Sequence, residues 1–119
     1  MLNLKDPSLL KTQNFIDGQW ADGGAGTIDV TNPANGEAVA TVANGNAADA
    51  VRAVEAAAEA FKSWSNIPAK QRAVLLRNWY DLLIANADDL GAIMTAEQGK
   101  PLAESIAEVG SGASFIEYY

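Results

Sequence analysis

Hydrophobic and polar positions follow two different periods along this chain, and the change falls near residue 46. Before it, short runs of β-branched and aromatic residues are broken by turn residues, which is a strand pattern. Phe15-Ile16 and Gln19-Trp20 flank Asp17-Gly18, a dipeptide that supplies the positive φ angles of a two-residue hairpin turn. Residues 27–31 and 37–43 read as two further extended runs, joined by the corner Asn32-Pro33-Ala34-Asn35-Gly36. Ahead of them, Asp6-Pro7-Ser8-Leu9-Leu10 reads as a short helical turn, with Asp6 as cap and Pro7 at the first position. Asp22-Gly23-Gly24-Ala25-Gly26 reads as a flexible loop.

After Asn44-Gly45-Asn46 the period becomes 3.6. Asn46 is a good helix cap, and Asp49 places a negative charge near the positive end of the helix dipole. This first helix is alanine-rich, with Val51, Val54, Ala58, Phe61 and Trp64 on its apolar line. Pro68 opens a second helix, whose expected buried side carries Leu75, Leu76, Trp79, Leu82 and Leu83, and Asn86 ends it. A third carries Leu90, Ile93 and Met94 and stops at Gly99. Pro101 starts a fourth, with Leu102, Ile106, Val109, Ala113 and Ile116 on one stripe and no stop signal before Tyr119.

The pattern predicts an α+β chain: a short antiparallel β element within residues 1–46, then four amphipathic helices within 47–119. Two arrangements could bury the four stripes. The helices could close on one another as a bundle, or they could be the outer helices of a larger α/β domain whose sheet lies elsewhere. Alanine-rich faces, which pack closely on a flat partner, favour the second.

The 119 residues suit one modest domain, and the hydrophobic share of 49% is ordinary for a globular chain. No stretch is apolar enough to span a membrane, and the first six residues lack the basic start and apolar core of a secretion signal. Neither cysteine nor histidine occurs, which excludes the usual zinc sites and a disulfide framework and favours a cytoplasmic setting. The formal charge is −7 with no basic cluster, against binding to a nucleic-acid backbone. Glu104 with Glu108, and Asp88 with Asp89, share faces but lack a nucleophile, so they read as solvated carboxylates. Gly110-Ser111-Gly112 lacks the preceding strand and third glycine of a dinucleotide loop and reads as close helix packing. Lys100 is expected to neutralise carbonyls at the preceding helix end. Trp20, Trp64 and Trp79 read as core or interface anchors.

Five stretches in register carry a resemblance. They are Phe15-Ile16-Asp17-Gly18-Gln19-Trp20, Asp29-Val30-Thr31-Asn32-Pro33-Ala34-Asn35-Gly36, Leu75-Leu76-Arg77-Asn78-Trp79, residues 94–104 around Glu97-Gln98-Gly99-Lys100-Pro101, and Ala113-Ser114-Phe115-Ile116-Glu117. Along nearly its whole length the chain resembles the opening segment of NAD(P)-dependent aldehyde dehydrogenases. Within that superfamily its wording is nearest that of bacterial succinate-semialdehyde dehydrogenases.

The resemblance implies a reaction in which a cysteine forms a thiohemiacetal, hydride passes to NAD or NADP, and the thioester is hydrolysed. The cysteine, the general-base glutamate and the cofactor-binding stretch lie further along in that family. No catalytic or cofactor-binding residue is therefore assigned here, and the chain alone is expected to be inactive and to bind no cofactor. It would be scaffold flanking the cofactor-binding domain. Its partners would be the remainder of the dehydrogenase chain and further copies in a homo-oligomer, with no nucleic acid and no membrane.

The resemblance also implies a monovalent cation site. A backbone carbonyl at Thr31 and the side chain of Glu97 match two of its oxygen ligands, which suit a hard cation; otherwise Glu97 is a late-helix surface residue. The alternative to a scaffold is a self-standing helical module for binding or oligomerisation, which would need its stripes closed on themselves. On the scaffold reading, the isolated chain is expected to be partly molten or self-associated.

Overall fold

A computed structural model describes residues 2–119. A 3₁₀ turn at Pro7–Leu9 is followed by strands β1 (Asn14–Ile16), β2 (Gln19–Ala21), β3 (Thr27–Thr31) and β4 (Ala38–Ala43). Helices α1 (Ala47–Trp64), α2 (Ala69–Ala85), α3 (Ala87–Gln98) and α4 (Leu102–Tyr118) complete the chain. The strands form two separate two-stranded sheets, β1–β2 and β3–β4, where the sequence suggested one small element. In the first, Asn14 faces Ala21, Phe15 faces Trp20 and Ile16 faces Gln19. Its turn has positive φ at both Asp17 (53°) and Gly18 (73°), the geometry that an Asp-Gly pair favours.

The chain forms two compact units that interleave along the sequence. The first takes in the chain start to Leu10, Thr31–Val39 and Pro68–Tyr119; the second is Lys11–Val30 with Ala40–Ile67.

In the first unit α4 packs against both α3 and α2. The α3–α4 crossing is built from small groups. A Cβ at Gly91 would lie 2.6 Å from Ile106 Cγ1, and the Thr95 and Ser105 hydroxyls meet at 2.9 Å. Ser105 and Ala113 are fully buried. Arg77 of α2 pairs with Asp81 one turn on and with Glu117 of α4. Helix α3 ends as a C-terminal glycine dictates: Gly99 takes φ 83° and its N–H donates to the Thr95 carbonyl at 2.9 Å.

In the second unit α1 starts with a reciprocal capping box. Asp49 N–H donates to Asn46 Oδ1 at 3.1 Å, and Asn46 N–H donates to Asp49 Oδ2 at 2.9 Å. The loop at residues 22–26 is tied to its surroundings by close contacts and hydrogen bonds. A Cβ at Gly23 would meet the Asn44 carbonyl oxygen at 2.1 Å, and Gly24 N–H donates to Asp49 Oδ2 at 2.7 Å. Ala25 N–H donates to the Asn44 carbonyl, and Asn44 N–H to the Gly26 carbonyl. A Cβ at Gly24 would run into the Asn46 side chain, and Gly26 takes φ 85°, so each glycine answers a different local demand.

Neither unit owns an apolar core. Ala113 is the one buried apolar side chain among the described residues, and no residue of the second unit is buried. The stripe of α1 stands in solvent at Val51, Val54 and Phe61; on α2, Leu75, Trp79 and Leu82 are exposed while Leu76 and Leu83 are half-buried. Helix α1 belongs to the second unit, and α2–α4 to the first.

Candidate functional site

Two of the stretches that stand out in the sequence meet in the first unit. The Asn32-Pro33 corner follows β3, and Asn32 organises it: its N–H donates to the Glu37 carbonyl at 2.8 Å, its carbonyl accepts from Gly36 N–H at 2.7 Å, and its side-chain Oδ1 accepts from Ala34 N–H at 2.9 Å. The α3–α4 junction, Gly99-Lys100-Pro101, lies against this corner, so closely that a Cβ at Gly99 would stand 2.8 Å from Pro33 Cγ. Thr31 is the last residue of β3 and Glu97 sits in the last turn of α3; both are exposed. A strand-end carbonyl and a carboxylate are suitable donors for a hard monovalent cation. Glu97 makes no hydrogen bond or ion pair with any described residue, and its neighbour Lys100 pairs with Glu108 instead. Among the described residues there is no cluster of three or more acidic, histidine or cysteine side chains. Beside the corner, a cavity of about 230 Å³ is lined by Leu2, Asn32, Glu37, Val39 and Ala96.

A second feature is an apolar groove of about 580 Å³ running over α2, α3 and α4. Trp79, Leu83, Ile93, Met94, Val109 and Ile116 line it, with the carboxylates of Glu97 and Glu108 at its edge. Gly112 also lines it, and a Cβ at Gly110 or Gly112 would meet nothing within 4 Å. These glycines therefore do not serve close packing within the chain, contrary to the sequence reading; Gly91 does that instead. Lys100 engages a carboxylate rather than the carbonyls of α3.

Of the candidate carboxylates, Glu108 is tied to Lys100, and Asp88 accepts from Lys5 Nζ at 2.8 Å, which holds the Lys5 ammonium above its ordinary range. Asp89 is not solvated at all. It is 6% exposed and accepts from the backbone N–H groups of Lys5 and Asp6. The Asp49 carboxyl is held below its ordinary value by the N–H groups of Asn46 and Gly24 that it accepts, with Arg52 adding a smaller effect. Trp20 is exposed, its ring tilted at 50° to that of Phe15 with centroids 5.0 Å apart, and Lys11 lies above it. Sequence reasoning missed Asp89, Gly91 and Ser105, because their partners lie ten to more than eighty residues away.

The groove offers apolar surface with an acidic edge, and neither it nor the cavity at the corner is lined by a serine, cysteine or lysine. The family profile described as "Aldehyde dehydrogenase family" matches residues 20–119. This chain belongs to the aldehyde dehydrogenase family.

It is 53% identical over 120 residues to a 3-sulfolactaldehyde dehydrogenase of Pseudomonas putida, a match covering 100% of this chain and 25% of that protein. It is 44% identical over 119 residues to the succinate-semialdehyde dehydrogenase [NADP(+)] of Escherichia coli, covering 99% of this chain and 25% of that one. The crystal structure of an aldehyde dehydrogenase from Brucella melitensis superposes with a TM-score of 0.94 at 54% identity, over 98% of this chain and 24% of that chain. The chain thus spans about a quarter of the length of the relatives it matches, and corresponds to their N-terminal part. No helix among the described residues is long and apolar enough to cross a membrane.

Proposed function

We propose that this chain is the N-terminal scaffold of a cytoplasmic, homo-oligomeric NAD(P)-dependent dehydrogenase that oxidises succinate semialdehyde to succinate, and that it is inactive without the rest of that enzyme. The observation that carries the proposal is the exposure of Val54, Phe61, Trp79, Leu82 and Phe115 beside a single buried apolar side chain. Stripes of this kind are stable only when covered. The names of the relatives support the chemistry, and the absence of any cysteine in this chain supports its dependence on another segment for the nucleophile. Thr31 and Glu97 are two ligands of a monovalent cation that the remaining segments complete. A self-standing module fits less well, because its stripes would close on themselves.

The test replaces the N-terminal quarter of the Escherichia coli succinate-semialdehyde dehydrogenase with this chain and follows NADPH formation from succinate semialdehyde. The hybrid is expected to turn over, while this chain alone and the relative lacking its N-terminal quarter are not. Turnover by the chain alone, or a folded hybrid without activity, overturns the proposal.

A further inference from the structure

Residues 2–6 form an irregular strap with a bend at Lys5, and two neighbouring aspartates at the start of α3 engage it differently. Asp88 pairs with Lys5 Nζ, but both side chains are largely solvent-exposed, 79% for the lysine and 66% for the aspartate. Such a pair is screened and contributes little. Asp89 is 6% exposed and spends both carboxylate oxygens on the strap's backbone: Lys5 N–H donates to Oδ1 at 3.0 Å and Asp6 N–H donates to Oδ2 at 2.8 Å. Two consecutive amides gripped by one shielded carboxylate form a charge-assisted fork that fixes the chain's direction as well as its position. Asp6, once oriented, caps the next turn by accepting from Ser8 N–H at 2.9 Å. At the other end of the strap, Leu2 walls the cavity beside the Asn-Pro corner, facing Asn32, Val39 and Ala96.

We propose that Asp89 is the latch of an N-terminal strap. It is a positioning residue whose carboxylate, rather than the Lys5–Asp88 ion pair, holds Leu2 over the cavity at the Asn-Pro corner. The rival is that the half-buried Leu4, Leu9 and Leu10 hold the strap by apolar contact alone.

Amide hydrogen exchange on the chain within the hybrid enzyme, where its apolar faces are covered, separates the two. Asp89→Ala is expected to speed exchange at Lys5 and Asp6 at least tenfold, while Asp88→Ala changes it less than threefold and added salt leaves the wild-type protection in place. Unchanged exchange in Asp89→Ala, or equal loss in Asp88→Ala, overturns the latch. Should Asp89→Ala also lower protection throughout α3 and α4, Asp89→Asn decides, since it keeps the volume and one acceptor oxygen. Loss confined to Lys5 and Asp6 then supports the latch, and loss spread evenly over α3 and α4 overturns it.

Discussion

Replacing Gly99 by alanine tests whether the Asn-Pro corner and the α3–α4 junction bear on each other in solution. The substitution carries two separable costs. Gly99 has φ 83°, and a residue with a Cβ in that left-handed region costs about 1–2 kcal/mol. The new Cβ would also stand 2.8 Å from Pro33 Cγ, so the corner must shift or the junction must open; overpacking of this kind costs about 1–3 kcal/mol. Together Gly99→Ala should destabilise by about 2–5 kcal/mol. Pro33→Ala removes the Cγ and Cδ atoms and leaves the Pro33 Cβ position at 3.7 Å, an ordinary contact. In that background only the conformational cost remains. A double-mutant cycle in the hybrid enzyme, read by urea unfolding and far-UV circular dichroism, should therefore give a coupling of about 1–3 kcal/mol. Equal cost of Gly99→Ala in both backgrounds would refute the contact, and a neutral Gly99→Ala would refute the left-handed cap as well.

Four further outcomes follow from the same structure. Asn46→Ala removes one half of the capping box and should cost about 1 kcal/mol, seen as a lower melting temperature with faster amide exchange in the first turn of α1. Because the Asp49 carboxyl is depressed by the N–H groups it accepts, its contribution is full above the ordinary carboxylate value of 3.8 and is lost as pH falls through the lower folded value. Helicity of the wild type should then fall below pH 3.8, while Asp49→Asn starts lower and loses less over that window. The isolated chain should bind a hydrophobic dye and sediment with concentration-dependent mass; a concentration-independent monomer with low dye binding would count heavily against the scaffold reading. In the hybrid enzyme, Glu97→Gln should abolish any stabilisation by potassium or sodium while leaving the melting temperature in a large organic cation unchanged.

What could be read in the sequence is what lies within a few residues of its partner. The Asn46–Asp49 box, the Asp17-Gly18 turn, the Asp6 cap and the Gly99 stop are local exchanges between a side chain and a nearby backbone, and the structure places each where the pattern indicated. The Thr31–Glu97 pairing came from a resemblance, and the structure adds only that the corner and the junction touch. Long-range partnerships were not legible. Asp89 is indistinguishable from Asp88 in sequence, yet one is buried against amides 83 and 84 residues away and the other is exposed. Gly91 packs against Ile106, while Gly110 and Gly112, which look like the packing glycines, face open space. The glycines of residues 23–26 look like slack, but Gly23 and Gly24 are pressed against Asn44 and Asn46.

The distribution of exposed groups ties these particulars to the proposed role. The local polar exchanges are made where the sequence signals them: α1 has its capping box, α3 its glycine stop, the corner is cross-linked by Asn32, and no buried side-chain polar atom among the described residues lacks a partner. What is left uncovered is a set of large apolar side chains, Val54, Phe61, Trp79, Leu82 and Phe115 among them. On the proposed reading the other three quarters of a dehydrogenase chain cover them. The same neighbour would then bring the nucleophile and the cofactor site to a segment that has neither.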